Sequence, residues 1–344
     1  MSIFSLGSFQ GFDNFERIVS YLGPKDIFSV AQVNQECNIW SEVDCIWRKV
    51  SEREGIPLVA NLFGGPRTNL KEDYRILAPR TISSRIIGEL LGKVVGSVPR
   101  ISEYWFNKFA AALPNPYQQG KLFRDSFVVL VDPSFIERTV NRETPLDVDE
   151  AGNLVEVAAD RVVEQTIRFP LSLRNQEVIS RYPLKGKENF PVFNKNDSWA
   201  EAFKHSTSFP AQVGLRIMSR SILEESRELG FVGQQALVEE KAPKQGFEVE
   251  SIRRRALFDV VSILKTGECP DRRGEHLWTY VRGPDAVTIN GQAYRLAVGG
   301  FAAGAGVFVG DGSFGYGHFG VVPGGSAEVP EPLELGHLAI GEGH

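Results

Sequence analysis

Apolar residues recur at helical spacing through the first fifty positions of the chain. Phe15, Ile18, Val19 and Leu22 fall at i, i+3, i+4 and i+7, which is one face of a helix. Gly23-Pro24 interrupts the pattern: glycine tolerates the left-handed conformation that ends helices, and proline cannot continue the hydrogen-bond ladder. Pro24 then suits the first turn of a second helix, with Asp26 near the positive end of its dipole. Ile27, Val30, Val33 and Cys37 supply that helix's apolar stripe, and Val43, Ile46, Trp47 and Val50 repeat the spacing in a third. Gly55-Ile56-Pro57 closes a three-helix unit over residues 11–58, and the breakers in NLFGGPR, Asn61 to Arg67, form a linker.

Beyond the linker the pattern mixes helix and strand. Thr81 to Val95 has helical spacing, and Pro99 to Leu113 continues as an aromatic-rich helix with Tyr104, Trp105 and Phe106. Gly88, Gly92 and Gly96 recur every fourth residue, which predicts one helical face packed closely on a neighbour. The run Phe127 to Val131, stopped by Asp132-Pro133, reads as a buried strand. Ile252 to Lys265 reads as a helix with Leu257, Val260, Val261 and Leu264 on one face. Asn290-Gly291 between Val287–Ile289 and Gln292–Val298 marks a hairpin, because a type I′ turn needs two residues at positive φ. The elements follow no regular βαβ period, so residues 69–325 are expected to form an α+β domain. Glycine crowds the chain after Gly299, and residues 326–344 read as a loosely ordered tail.

At 344 residues the chain has room for two domains, and 42% hydrophobic against 24% charged residues is enough to bury a core. A net charge of −5 provides no broad attraction for nucleic acid or anionic lipid, so neither is an expected partner. Three cysteines, Cys37, Cys45 and Cys269, are too few and odd in number for a disulfide framework, which points to a reducing compartment. No apolar run approaches the roughly 20 residues that span a bilayer, and the N-terminus lacks a secretory signal. A soluble cytoplasmic protein is expected, although a secretion route that reads a short polar N-terminus stays open.

The run FERIVSYLGPKDIFSVAQVNQECNIWSEVDCIWRKV, Phe15 to Val50, resembles an F-box domain. The resemblance lies in Tyr21-Leu22, the Pro24-x-Asp26 turn, the apolar helix Ile27 to Val33, and Ile46-Trp47 at the family's distance from Val33. The chain departs from the family where Gly11-Phe12 replaces an opening leucine-proline and Cys37 replaces a tryptophan. The resemblance implies binding to the Skp-type linker subunit of a cullin-RING ubiquitin ligase, with Phe12, Phe15, Ile18, Leu22, Pro24, Ile27, Val30 and Trp47 as expected anchors. A unit of about 48 residues is marginal alone, and its stripes hold more large apolar side chains than one three-helix unit can hide, which usually marks an interface. Asn69–Leu77, Tyr182–Phe193 and Arg255–Asp271 also look like segments of F-box-like proteins from chlamydia-related intracellular bacteria, which would make the chain an effector imitating host machinery.

The remaining motifs carry less. Gly310-Asp311-Gly312-Ser313-Phe314-Gly315 satisfies G-x-G-x-x-G, but no helix follows it, so it reads as a glycine-rich loop and not a cofactor site. Cys269 and His276 are near in sequence, but catalytic partners are brought together by the fold and a lone Cys-Pro after a helix reads as structural, and the five histidines show no metal-ligand spacing. Arg253-Arg254-Arg255 and Lys185-Gly186-Lys187 are expected to be solvated faces. The leading expectation is an adaptor without catalytic residues, cofactor or metal, whose α+β region recruits an unidentified protein target. An enzyme using the helical unit for delivery and a scaffold that competes with host adaptors are the alternatives.

Overall fold

The structure, a computed structural model, describes residues 9–33, 35–56, 70–99, 127–184, 193–194, 209–241, 247–266, 280–289, 291–302, 306–311 and 319–326. The linker Asn61–Arg67, residues 100–113 of the expected aromatic helix, Lys185–Lys187, Cys269, all five histidines and residues 327–344 lie outside this set.

Among the described residues up to 54 there are four helices and not three: α1 (Phe9–Val19), α2 (Pro24–Ala31), α3 (Gln35–Ser41) and α4 (Asp44–Glu54). The second expected helix breaks because the amides of Gln32 and Val33 bond only three residues back, to Ser29 and Val30, closing a tight turn. The apolar stripe therefore divides. Cys37 is buried on α3, and Val33 is left exposed. Gly23 is also not left-handed. At φ −67°, ψ 160° it is the extended N-cap of α2, and Asp26 reaches back 3.3 Å to accept from its N–H. Pro24 opens α2 as expected, and Gly55 ends α4 at φ 64°, where glycine carries no Cβ penalty.

Helix α5 (Leu70–Leu77) extends this packing past the expected boundary at residue 58. Asp44 accepts from the amide of Leu70 at 3.1 Å, and the Tyr74 ring lies 5.2 Å from that of Trp47. A short 3₁₀ turn then leads into β1 (Thr81–Ile82).

The single helix expected over 81–95 is replaced by β1, a short helix α6 (Ser84–Leu90) and strand β2 (Lys93–Val95). Ser83 starts α6 by accepting from the amide of Ile86 at 3.3 Å. Gly92 at φ 140° then swings the chain into β2, which pairs antiparallel with β4 (Phe135–Val140). Close approach is what Gly92 provides, but to a strand and not to a helix face. A Cβ there would sit 2.4 Å from Ile136 and 2.8 Å from the Glu137 carbonyl, whereas one on Gly88 would meet open space. Gly92→Ala is expected to lower stability by about 2 kcal/mol or more, since it combines a clash with a backbone conformation that L-residues avoid. A shift in the urea midpoint measures this. A change within about 0.5 kcal/mol would show that the β2 edge moves aside freely.

The rest is mixed α and β, as expected. Strand β3 (Phe127–Asp132) forms where the apolar run predicted it, in a five-stranded sheet ordered β1-β3-β9-β15-β10, with β9 Gly214–Ser219, β10 Glu248–Val249 and β15 Pro323–Ser326. Only the β1–β3 pair in it is parallel. The predicted hairpin is β11 (Tyr280–Ile289) and β12 (Gln292–Ala302), in register Ile289↔Gln292 and with Gly291 at φ 78°. It lies at the centre of a second sheet, flanked by β13 (Gly306–Asp311), β14 (Phe319–Gly320) and β8 (Phe193–Asn194). A third sheet joins β2, β4 and β7 (Gln165–Pro170), and β5 (Leu146–Val148) pairs with β6 (Leu154–Glu156).

Helix α9 (Ile252–Thr266), which follows α8 (Phe231–Lys241) in the chain, runs through the middle, touching α6, α7 (Leu173–Ser180) and the β11–β12 hairpin. It is buried almost all round, and this overturns the solvated reading of its three arginines. Arg253 donates to both carboxylate oxygens of Asp132 at 2.6 Å, and Arg254 reaches Asp132 at 2.8 Å and Glu250 at 2.7 Å. Arg255, fully buried, pairs with Asp259 one turn on at 3.2 Å and donates to the Arg220 carbonyl at 2.9 Å. Charges enter the core here because each cation finds a carboxylate, without which burial would be prohibitive. Among the described residues no helix is long and apolar enough to cross a membrane.

Candidate functional site

The eight expected anchors divide by burial. Phe15, Ile27 and Trp47 are 2%, 0% and 0% exposed, so they belong to the core and are not available to a partner. Phe15 packs on Trp40 at 5.3 Å, Trp47 lies between Phe28 at 5.0 Å and Tyr74, and the Trp47 indole donates to the Ser41 carbonyl at 2.6 Å. Sequence spacing groups these residues correctly on the inner faces, but those faces are sealed by α3 and α5. Phe12, Leu22, Pro24 and Val30 are partly buried, and Ile18 is 47% exposed.

Three exposed side chains were absent from the expected set. Tyr21 is 81% exposed, Val33 65% and Ile39 57%; with Ile18 they make four of the nine large apolar side chains that the described residues expose. Tyr21 was legible in principle, since its position on the helical wheel is well off the Phe15–Val19 face. Val33 was not, because its exposure depends on the break between α2 and α3.

Ile18, Tyr21, Leu22 and Pro24 follow one another in sequence as an apolar strip from the last turn of α1 into the start of α2, with Ile18 and Tyr21 exposed and Leu22 and Pro24 half-buried. The backbone of this strip is held by α4. Arg53 of α4 donates to the carbonyls of Ser20 at 2.8 Å and Leu22 at 2.7 Å, capping the end of α1. Lys49, one turn earlier, holds Glu16 at 2.7 Å. That hydrogen bond keeps the Glu16 carboxyl below its ordinary range, while burial and then the nearby Glu16 push the Cys45 thiol up. A thiol held protonated in this way is a poor nucleophile. A depression of about 140 Å³ lined by Glu16, Val19, Ser20, Ile46, Lys49, Val50 and Arg53 lies at this α1–α4 contact.

On the other side, an open depression of about 450 Å³ lies between α2, α3 and α5, lined by Phe28, Ala31, Gln32, Asn38, Lys71 and Arg75. Exposed Val33 and Ile39 adjoin its lining residues Gln32 and Asn38 in the chain. Lys71 crosses it, 5.4 Å above the Phe28 ring, to Glu42 at 2.5 Å. These surfaces offer apolar contact and charged rims but no nucleophile with a positioned base. Among the described residues no group of His, Cys, Asp and Glu could hold a metal. In comparison with known proteins, no family model, no curated protein and no solved structure matches this chain.

Proposed function

We propose that the chain is an F-box-type adaptor, which docks a Skp-type linker of a cullin-RING ligase through its helical unit and recruits a protein target through the α+β region for ubiquitylation. The observation that carries this reading is the strip Ile18 to Pro24, where the large apolar side chains of Ile18 and Tyr21 are left open beside half-buried Leu22 and Pro24, on a unit that seals Phe15, Ile27 and Trp47. Apolar side chains grouped and uncovered in this way mark protein interfaces. The sequence resemblance over Phe15–Val50 names the partner. The work would take place in the cytoplasm of a eukaryotic cell, the host's if the chain is a bacterial effector.

Capture of purified linker by the full chain tests the reading. Ile18→Ala with Tyr21→Ala is expected to reduce affinity by at least about tenfold, because desolvated anchors are each worth about 2 kcal/mol. Both side chains are exposed, so stability should stay within about 0.5 kcal/mol of wild type. Undiminished capture by this double variant would remove the strip from the interface, and no capture by the wild-type chain would remove the function.

A further inference from the structure

The turn that carries Tyr21 is short of backbone hydrogen bonds, and a side chain from another helix makes up the deficit. After α1 the amides of Tyr21 and Leu22 bond three residues back, to the carbonyls of Ile18 and Val19 at 3.1 Å. The carbonyls of Ser20 and Leu22, one on each side of Tyr21, accept from no backbone amide among the described residues. At Ser20 the cause is Pro24. It stands four residues on, where a continuing helix would donate, and proline has no N–H to give. Arg53 of α4 fills both places, with Nη1 on the Ser20 carbonyl at 2.8 Å and Nη2 on that of Leu22 at 2.7 Å. Its remaining nitrogen, Nε, faces Glu54 at 3.4 Å, and Arg85 of α6 holds the same carboxylate. The guanidinium is thus aimed from its own helix and spans the residue that the turn exposes most.

We propose that Arg53 is a positioning residue for partner docking: it sets the backbone on both sides of Tyr21 before the partner arrives. This rests on the adaptor reading and adds to it a residue that acts through Tyr21. A turn left free to move must be ordered when it binds, and that ordering is subtracted from affinity. A turn already held gives up less. The arrangement calls for arginine specifically. Its planar fork offers two donors at fixed spacing to two acceptors, whereas lysine is a single point charge on a flexible stem. Lys49, one turn earlier on α4, does not share the task, because it is spent on Glu16 at 2.7 Å.

The test compares Arg53→Lys and Arg53→Ala with the wild type, each as the full chain. Affinity is measured by titration with purified Skp-type linker, and amide hydrogen exchange is measured on each chain alone. Arg53→Lys keeps a cation at the end of α1 but holds one carbonyl at a time, so its melting temperature should match the wild type. Its affinity is expected to fall about fivefold, and that of Arg53→Ala about tenfold or more. In both free variants the Tyr21 and Leu22 amides should exchange faster, while those of buried Trp47 and Val50 in α4 keep wild-type rates. Variants that bind as wild type, while Ile18→Ala with Tyr21→Ala fails to bind, would overturn the role of Arg53 and leave the adaptor reading standing. Lost affinity with unchanged exchange at Tyr21 and Leu22 would overturn positioning in favour of direct contact with the linker. Faster exchange at Trp47 and Val50 in step with the lost affinity would reduce Arg53 to a support of the whole helical unit. A wild-type chain that ignores the linker overturns both readings.

Discussion

Trp47→Ala should lower the unfolding free energy of the helical unit by about 3–5 kcal/mol, the range for truncating a sealed aromatic. Trp47 is 0% exposed, its ring lies between Phe28 and Tyr74, and its indole N–H is satisfied by the Ser41 carbonyl at 2.6 Å. Truncation leaves a cavity bounded by α2, α4 and α5 and strips that carbonyl of its donor. The measurement is a denaturation curve read by near-ultraviolet circular dichroism, with Ile18→Ala as the exposed comparison. A loss under about 1 kcal/mol would mean the helices collapse onto the void. Because the unit's core is continuous with that of the strand-rich region, the transition at the wild type should be shared, and in the variant the helical signal should melt first.

Asp132→Ala should destabilise the α+β region by a similar amount, about 3–5 kcal/mol, by leaving buried cations without their anion. Asp132 and Arg253 are 2% and 4% exposed at the side chain, and Arg254 approaches the same carboxylate from a more open position at 22%. The ranking of variants is more informative than any one value. Removing Asp132 leaves two guanidinium groups facing each other, with only Glu250 remaining for Arg254. Arg253→Met leaves the Asp132–Arg254 pair intact, so its effect should be distinctly smaller. Equal losses from the two variants, in urea midpoints measured side by side, would show that the network is not shared in the way the geometry implies.

The same positions show how far local pattern reaches. The strand Phe127–Asp132, the helix Ile252–Thr266 and the β11–β12 hairpin follow from apolar runs, helical spacing and an Asn-Gly turn, all signals contained within about fifteen residues. Three successive arginines read locally as a solvated face. Arg253 and Arg254 turn inward to Asp132, far away in the chain, which ends a strand against α9, whereas Arg255 pairs with Asp259 in its own helix and is covered by elements that no local window contains. The short α6 in place of a long helix has the same origin: β2 is a strand only because β4 is there to pair with it. The aromatic helix expected near residue 105 lies outside the described residues.

For the candidate surface, sequence alone determined that residues 15–50 are built mainly of helices and that Phe15, Ile27 and Trp47 lie on inner faces, since helical periodicity is local physics. It also carried the resemblance from which a partner is proposed. Tertiary structure decided which stripes are used up. Phe15 and Trp47 were closed off by Trp40 and Tyr74 from other helices and Ile27 was fully buried, whereas Ile18 and Tyr21 remained in solvent. Burial and charge compensation are properties of contacts between distant segments, so they become readable only when the chain is folded.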